Sequence, residues 1–262
     1  MNASDTASDT RDVLVVGGGV AGLTAATFTA RAGHDPLVLN DGESILRRNA
    51  HLENVPGFPV GVNPRLFADL LDEQAARNGV SIAPGRVVRV EPRDSGFTVR
   101  TAVGDTYATR YVVAASWSDA SYLPDGVNTR DAGSKTYVDD DGVGRTSVAG
   151  LYAAGRLSEQ YHQAVVAAGH GAAVGITLLH DSNTPFYHDW VTPEGYFTER
   201  GREVPPGCEE IDAAEQARRQ GESRAVMRER FADPHPQTQR THPSLVDDER
   251  GRVDESWDVT RG

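Results

Sequence analysis

A glycine-rich hexapeptide, GGGVAG at residues 17–22, is the stretch of this chain whose residue types and spacing point most directly to chemistry. It has the form G-x-G-x-x-G, follows an apolar run at residues 11–16 and opens a segment rich in small residues. In that context Gly17 permits a tight turn, Gly19 lets the backbone approach a pyrophosphate, and Gly22 allows a helix to pack closely on a sheet. The free N–H groups at the start of that helix favour an anionic ligand. The sequence therefore predicts a dinucleotide site that includes Gly17, Gly19, Val20, Ala21 and Gly22.

The end of the next predicted strand carries Asn40, followed by Asp41. In dinucleotide-binding folds an acidic residue at this place binds the ribose hydroxyls. An asparagine both donates and accepts hydrogen bonds, so Asn40 and Asp41 are candidate ribose ligands. Asn-Asp-Gly is also a common turn sequence, and the turn explains the same residues equally well.

Few other side chains suggest catalysis. The chain has one cysteine, Cys208, which excludes a disulfide or a redox cysteine pair within the chain, and no base is evident beside it. An inert or weakly reactive thiol is therefore favoured. His162 and His170 are eight positions apart on one predicted helix, not the four that a metal pair requires. His162 is either a residue at the edge of a cofactor or a half-buried helix-start histidine, and no metal site is predicted.

Two further segments carry a family resemblance. The sequence HLENVPGFP at residues 51–59 resembles the E-N-x-P-G segment of thioredoxin reductases, and TSVAGLYAAG at residues 146–155 resembles their T-S-x-P-G-x-F-A-A-G segment. The pair Gln163-Ala164, followed by a helix rich in alanine and glycine, resembles the R-Q-A region of the same family. The resemblance covers about residues 12–180, in order and spacing, and corresponds to the flavin-binding part of that family.

The resemblance implies that FAD is the cofactor. It implies that Asn54 lies near the flavin and that the helix beginning near Gln163 faces the pyrimidine side of the ring, where its dipole stabilises negative charge. It places Gly155 and Arg156 at the ribitol. The remaining cofactor-binding residues that it implies are Val87, Ala115 and Ala164.

The chain also departs from the family. Family members insert a nicotinamide-binding domain within the flavin domain, together with a C-x-x-C pair, whereas residues 115–135 are too short for a second βαβ unit. Arg156 replaces the acid that accepts a hydrogen bond from the ribitol, and arginine only donates. The resulting prediction is an FAD-dependent oxidoreductase that exchanges electrons with a partner protein or a small reductant. A degenerate flavin fold used as a nucleotide-binding, regulatory or assembly module is the main alternative, and an NAD-binding dehydrogenase is a third.

These residues need an α/β framework to position them. The predicted fold is a Rossmann-like, doubly wound FAD/NAD(P)-binding domain with a small β-meander and a polar C-terminal extension. The predicted loop at 124–144 is rich in aspartate and glycine, and a polar helix is predicted at 209–231. The predicted divisions are a disordered lead-in at 1–11, the FAD-binding domain at 12–181, and a partly helical or disordered extension at 182–262.

The charge and residue composition of the chain limit the kinds of partner that it is expected to bind. The formal net charge of −12 argues against nucleic acid and anionic membranes, and the sequence predicts neither a secretory signal nor a membrane-spanning stretch. A cytoplasmic location, with an electron-transfer partner or a second copy of the chain, is expected. Lys135 is the only lysine. An acidic, lysine-poor surface is typical of halophilic proteins, although a GC-rich genome that favours arginine codons produces the same bias.

Overall fold

Parallel strands around the first strand of the chain form the centre of the molecule. The computed structural model describes residues 9–133 and 135–237. The strands of the main sheet are β1 (Asp9–Val16), β2 (Pro36–Asn40), β3 (Ser81–Pro84), β4 (Val87–Pro92), β5 (Phe97–Thr101), β6 (Thr106–Ala114) and β9 (Leu151–Ala153). Strands are numbered in chain order, so β7 and β8 lie between β6 and β9 in the sequence.

Two small sheets lie outside it. They are the antiparallel hairpin β7 (Thr129–Ala132) and β8 (Lys135–Val138), and the parallel pair β10 (Trp190–Pro193) and β11 (Cys208–Ile211). The helices are α1 (Val20–Arg31), α2 (Pro64–Arg77), α3 (Ala164–Asp181) and α4 (Ala213–Arg230).

The main sheet has the order β3-β2-β1-β6-β5-β4, with β9 beside β6. The β3-β2-β1-β6-β9 pairings are parallel, whereas β4, β5 and β6 form an antiparallel meander. β6 pairs with β5 through residues 106–109 and with β9 through residues 112–114, so one strand belongs to both the parallel core and the meander. This is the predicted Rossmann-like fold with its β-meander.

Small residues bring α1 and α3 into close contact on one face of the sheet. A Cβ atom at Gly171 of α3 would lie 2.3 Å from the backbone oxygen of Ala21, so only glycine permits this separation. Gly175 lies one turn further along α3, where a Cβ atom would lie 2.9 Å from Phe28 Cβ and 3.1 Å from the backbone oxygen of Ala25. The contact holds the two helices side by side, with both of their N-termini at the carboxyl ends of the parallel strands.

The structure corrects several local predictions. β1 begins at Asp9, so residues 9–11, predicted as part of a disordered lead-in, extend the strand along β6. The predicted loop at 124–144 contains the β7–β8 hairpin, and the helix predicted from residue 209 begins at Ala213, after β11. In each case backbone pairing orders polar residues that carry no apolar signal. The lead-in residues 1–8 and the end of the extension, 238–262, lie outside the described residues.

Helix α3 bears on the expected absence of a membrane-spanning stretch. Within the described residues it is the one helix long and apolar enough, by length and composition, to cross a bilayer. Its interruptions by glycine and histidine made it look shorter in the sequence. Its residues Val174, Leu178 and Leu179 are fully buried in the fold, as in the core helix of a water-soluble protein, so the feature is weak evidence for a membrane span.

Candidate functional site

A cleft of about 1110 Å³ runs along the carboxyl ends of β2, β1, β6 and β9. Its volume is near the upper end of the range for small-molecule sites. All of the residues predicted to bind a cofactor line it, except Gly22 and Gly155, which pack against Gly17 and Ala21. The fold therefore brings predicted residues from seven separated segments of the chain to one cleft.

The three motif glycines are required for different reasons. Gly17 has φ +110°, and a Cβ there would lie 2.5 Å from the backbone oxygen of Ala115. A Cβ on Gly22 would lie 2.0 Å from the oxygen of Gly17, so the fold itself demands glycine at both positions. At Gly19 the nearest atom to a Cβ is Ser44 Oγ, 3.9 Å away. The protein leaves space at Gly19, which fits a ligand that approaches the backbone there.

Two helices point uncapped N-termini at this cleft. Gly19 precedes α1 and Gln163 precedes α3, and neither supplies a side-chain cap or is followed by an acid in the first turn. By contrast, Asn63 caps α2 and Asp212 caps α4 through their side chains. Free N–H groups at the two uncapped ends attract negative charge. The arrangement fits an elongated ligand with anionic groups near β1 and an electron-accepting ring near α3.

Asn40 uses its side chain within the protein. Its Oδ1 accepts a hydrogen bond from the N–H of Gly18 at 3.1 Å, and its Nδ2 donates to the carbonyl of Gly42 at 2.8 Å. These bonds form the turn after β2 and tie it to the glycine loop. One amide hydrogen and one oxygen lone pair remain, so a ribose contact is still compatible with the turn. Asp41 lines the cleft beside it.

The opposite end of the cleft is built by Asn54, Trp117 and the start of α3. Asn54 Nδ2 donates to Gln163 Oε1 at 2.6 Å, which joins two segments 109 positions apart. The rings of Trp117 and His162 meet edge to face with centroids 4.4 Å apart. Burial, followed by the positive charges of Arg156 and Lys135, lowers the pKa of His162, so its imidazole is neutral at pH 7.

Arg156 binds two neighbouring residues of the protein. Its guanidinium donates to the hydroxyl of Tyr137 on β8 and, at 3.1 Å, to the carbonyl of Gln160. It also lies over the ring of Tyr137, 4.9 Å from the centroid, as a cation–π pair. The buried Nε of Arg156 has no hydrogen-bond partner. Arg156 also lines the cleft, so its guanidinium is engaged by Tyr137 and Gln160 at the edge of the site.

One residue that contacts the backbone of the site, His170, was not predicted from the sequence. His170, which is 7% exposed, accepts a hydrogen bond at Nδ1 from the N–H of Gly155 at 2.9 Å. Burial lowers the pKa of His170, although Asp140, 3.9 Å from its Nε2, acts in the opposite direction. The neutral ring therefore fixes the turn that follows β9. The position of His170 on an apolar helix was the only signal in the sequence, and its partner is a backbone group that no motif reveals.

The other candidate residues lie elsewhere. Cys208 is half-buried on β11, and its Sγ lies 3.5 Å from the backbone oxygen of His188. It does not line the cleft. Within residues 9–133 and 135–237, no group of three His, Cys, Asp or Glu side chains is placed to hold a metal ion.

Comparison with known proteins agrees with this geometry. Residues 12–52 match the FAD binding domain family. The bifunctional thioredoxin reductase/thioredoxin of Mycobacterium leprae is 38% identical over 127 residues, which cover 47% of this chain and 28% of that protein. The thioredoxin reductase of Streptomyces coelicolor is 34% identical over 128 residues, which cover 48% of this chain and 39% of that protein.

The chain carries a thioredoxin reductase-like FAD-binding domain. FAD is accordingly the cofactor of this domain. Two solved structures share its fold. The atypical thioredoxin reductase from Desulfovibrio vulgaris has a TM-score of 0.55 and 16% sequence identity, and the match covers 67% of this chain and 100% of that one. The thioredoxin reductase from T. acidophilum has a TM-score of 0.57 and 18% sequence identity, and the match covers 66% of this chain and 99% of that one. The match to the Mycobacterium and Streptomyces proteins spans well under half of their length.

Proposed function

We propose that the protein is an FAD-dependent oxidoreductase that has no nicotinamide-binding unit of its own and exchanges electrons with a separate partner or a small diffusible reductant. The observation that carries the proposal is the connection between β6 and β9. Its described residues, 115–133 and 135–150, form the β7–β8 hairpin and loops, without a helix. A nucleotide-binding βαβ unit needs about 30 residues and a crossover helix.

The residues of the cleft have distinct roles in this proposal. The glycine loop and the N-terminus of α1 hold the pyrophosphate, and the β2 end with Asn40 and Asp41 faces the adenosine half. The sheet order places β6 and β9 on the other side of β1, so the flavin half lies toward Ala115 and the start of α3. FAD supplies the redox chemistry when it is bound.

The start of α3 provides the electrostatics at the flavin half. Gln163, fixed by Asn54, ends the loop before α3, and Ala164 begins the helix. The partial positive charge of this helix end stabilises negative charge that develops on the ring during reduction. The chain offers orientation and charge stabilisation rather than a side chain that forms a covalent bond.

The partner is also part of the proposal: an electron-transfer protein or a second copy of the chain. Tyr161, at the flavin end of the cleft, is 82% exposed, and this supports access for a partner. The net charge of −12 argues against nucleic acid and anionic lipid as partners. We also propose a cytoplasmic location, which agrees with the single cysteine and its reduced thiol.

A second candidate function is a nucleotide-binding module without redox activity. It is favoured by Arg156, whose guanidinium is engaged by Tyr137 and Gln160 and offers no acceptor to a ribitol hydroxyl. Such a site binds FAD weakly, and its role would be regulatory or structural.

An absorption experiment separates the two functions. The purified protein is titrated with FAD in concentrated salt, separated from free FAD, and then reduced anaerobically with dithionite and reoxidised with a quinone. An oxidoreductase is expected to retain FAD stoichiometrically and to cycle between the oxidised and reduced spectra. Loss of FAD during the separation would favour the nucleotide-binding module.

A further inference from the structure

Trp117 and His162 form an aromatic pair at the flavin end of the cleft. Trp117 follows the end of β6, and His162 lies two residues before α3, so the pair joins two chain segments across the mouth of the site. The ring centroids are 4.4 Å apart, at an interplanar angle of 74°. This edge-to-face geometry is favourable for aromatic rings.

The backbone at Trp117 is strained. Its φ of 63° lies in the left-handed region, which is an outlier for a bulky residue. Strain of this kind is retained only where the surrounding structure enforces it, and it concentrates at ligand sites. The residue before Trp117 is anchored: the hydroxyl of Ser116 donates to the carbonyl of Asp119 and shares a hydrogen bond of 2.7 Å with the hydroxyl of Tyr122.

The location of the pair relative to the rest of the site defines its role. Asn54 and Gln163, joined by a hydrogen bond, line the same cleft as Trp117. Trp117 also lies in the connection that contains the β7–β8 hairpin. An indole held against its backbone preference thus lines the cleft whose α3 end the proposed function gives to the flavin ring.

We propose that Trp117 and His162 form an aromatic cap that contacts the ring of bound FAD and shields it from solvent. This proposal rests on the proposed function, since it requires FAD in the cleft with its ring toward α3. The cap supplies cover for the ring from within the chain, at a cleft that the exposed Tyr161 also lines.

Flavin fluorescence tests the cap independently of enzymatic activity. An indole in contact with a flavin quenches its emission, and a covered ring is protected from iodide. The variants are Trp117→Gly, which removes the ring and also relieves the positive φ, and Trp117→Phe, which retains an aromatic ring. Trp190→Leu is the control, because Trp190 lies on β10 outside the cleft. Bound FAD is counted by its absorbance after acid release.

The expected result is a several-fold increase in the emission of bound FAD and in its quenching by iodide for Trp117→Gly. Trp117→Phe is expected to retain most of the protection from iodide, and Trp190→Leu to match the natural protein. Trp117→Gly with a full complement of FAD but unchanged emission and iodide quenching would overturn the cap and leave the proposed function intact. A natural protein that binds no FAD would overturn both.

Discussion

At the scale of single residues, the glycine loop separates what the fold needs from what a ligand needs. Gly17 and Gly22 cannot carry a side chain without colliding with the backbone. Gly19, in contrast, has φ −83° and ψ −178°, an extended conformation that any residue adopts, and has open space around it. A ligand, and not the packing of the protein, therefore explains why residue 19 is glycine. A substitution at Gly19 is for this reason the most specific test of the phosphate site.

Gly19→Val is expected to abolish FAD binding while leaving the fold intact. The branched side chain would occupy the space above the loop and weaken FAD binding by about a hundredfold or more, which corresponds to about 3 kcal/mol. Stability is expected to change by no more than about 0.5 kcal/mol. Isothermal titration with FAD and urea unfolding measure the two quantities. Gly221→Val on α4 is the matched control, because its surroundings are equally open and it lies far from the cleft. Full FAD affinity in Gly19→Val would exclude this loop as the phosphate site.

Arg156 poses a second question at this scale. Its guanidinium is engaged by Tyr137 and Gln160. An acid at the same place would accept a hydrogen bond from a ribitol hydroxyl, as the resembled family implies. A hydrogen bond to a charged group contributes roughly 1.5–3 kcal/mol.

Arg156→Asp is therefore expected to tighten FAD binding by roughly ten- to a hundredfold. Arg156→Ala, which removes the cation without adding an acceptor, is the control and is expected to bind FAD about as the natural protein does. Titration of each apoprotein, followed by flavin fluorescence, gives the three affinities. Weaker binding by both variants would show that Arg156 reaches the phosphates when FAD is bound, and the orientation seen here would then be specific to the free protein.

At the scale of elements, α3 links the core to the cofactor cleft through His170. The neutral imidazole accepts the N–H of Gly155, and protonation removes this acceptor. Because burial lowers the pKa of His170, the unfolded chain binds a proton more readily than the folded chain below its ordinary pKa of about 6.5. The stability contributed by this residue is thus complete above about pH 6.5 and is lost as the pH falls through the folded pKa.

His170→Asn is expected to reduce the loss of stability between about pH 7.5 and 5.5. The asparagine oxygen can still accept from Gly155 but does not titrate, so about 1 kcal/mol of the acid-side loss should disappear. The rest of the loss of stability at low pH should remain, because burial also lowers the pKa values of His34 and His162. Urea midpoints at the two pH values measure the difference. An identical pH dependence in the natural protein and the variant would assign the acid sensitivity to other groups.

The elements also show where sequence-based prediction succeeds. The glycine loop and the meander were predictable, because apolar periodicity and glycine spacing mark buried elements. The β7–β8 hairpin was missed because all of β7 is exposed and carries no alternation. The positive φ of Trp117 was invisible, since no rule of residue type places tryptophan in that conformation.

At the scale of the whole molecule, the part of the C-terminal extension that the structure describes, residues 182–237, contacts α1 and α2. No residue of α4 is buried, and it meets α2 through the pairs Arg77–Glu222 and Arg230–Glu73. Exposed ion pairs contribute about 0–1 kcal/mol each. The stacked rings of Phe58 and Phe231, with centroids 6.2 Å apart, add an apolar contact beyond the end of α4. The described part of the extension also reaches the β2 end of the cleft, where Gln237 donates a hydrogen bond to Glu43 at 2.5 Å.

The source of electrons is also a property of the whole molecule. A thioredoxin reductase that uses NADPH needs a second nucleotide site and a pair of cysteines near the flavin. This chain has a single cysteine, and Cys208 lies on β11, outside the cleft. The described connection from β6 to β9 is a hairpin with its loops. On these grounds we propose that the chain does not carry out that reaction by itself.

The FAD-loaded protein is therefore expected not to reduce thioredoxin with NADPH, and the rate of thiol formation should equal that of free FAD. The assay follows NADPH oxidation and thiol release together, with a complete thioredoxin reductase as the positive control. Dithionite, added at the end, verifies that the bound flavin is reducible, so that a negative result reflects the missing donor site and not a damaged cofactor. NADPH oxidation matched by stoichiometric thiol release from the pure protein would refute the proposal that its electrons come through a partner or a small reductant.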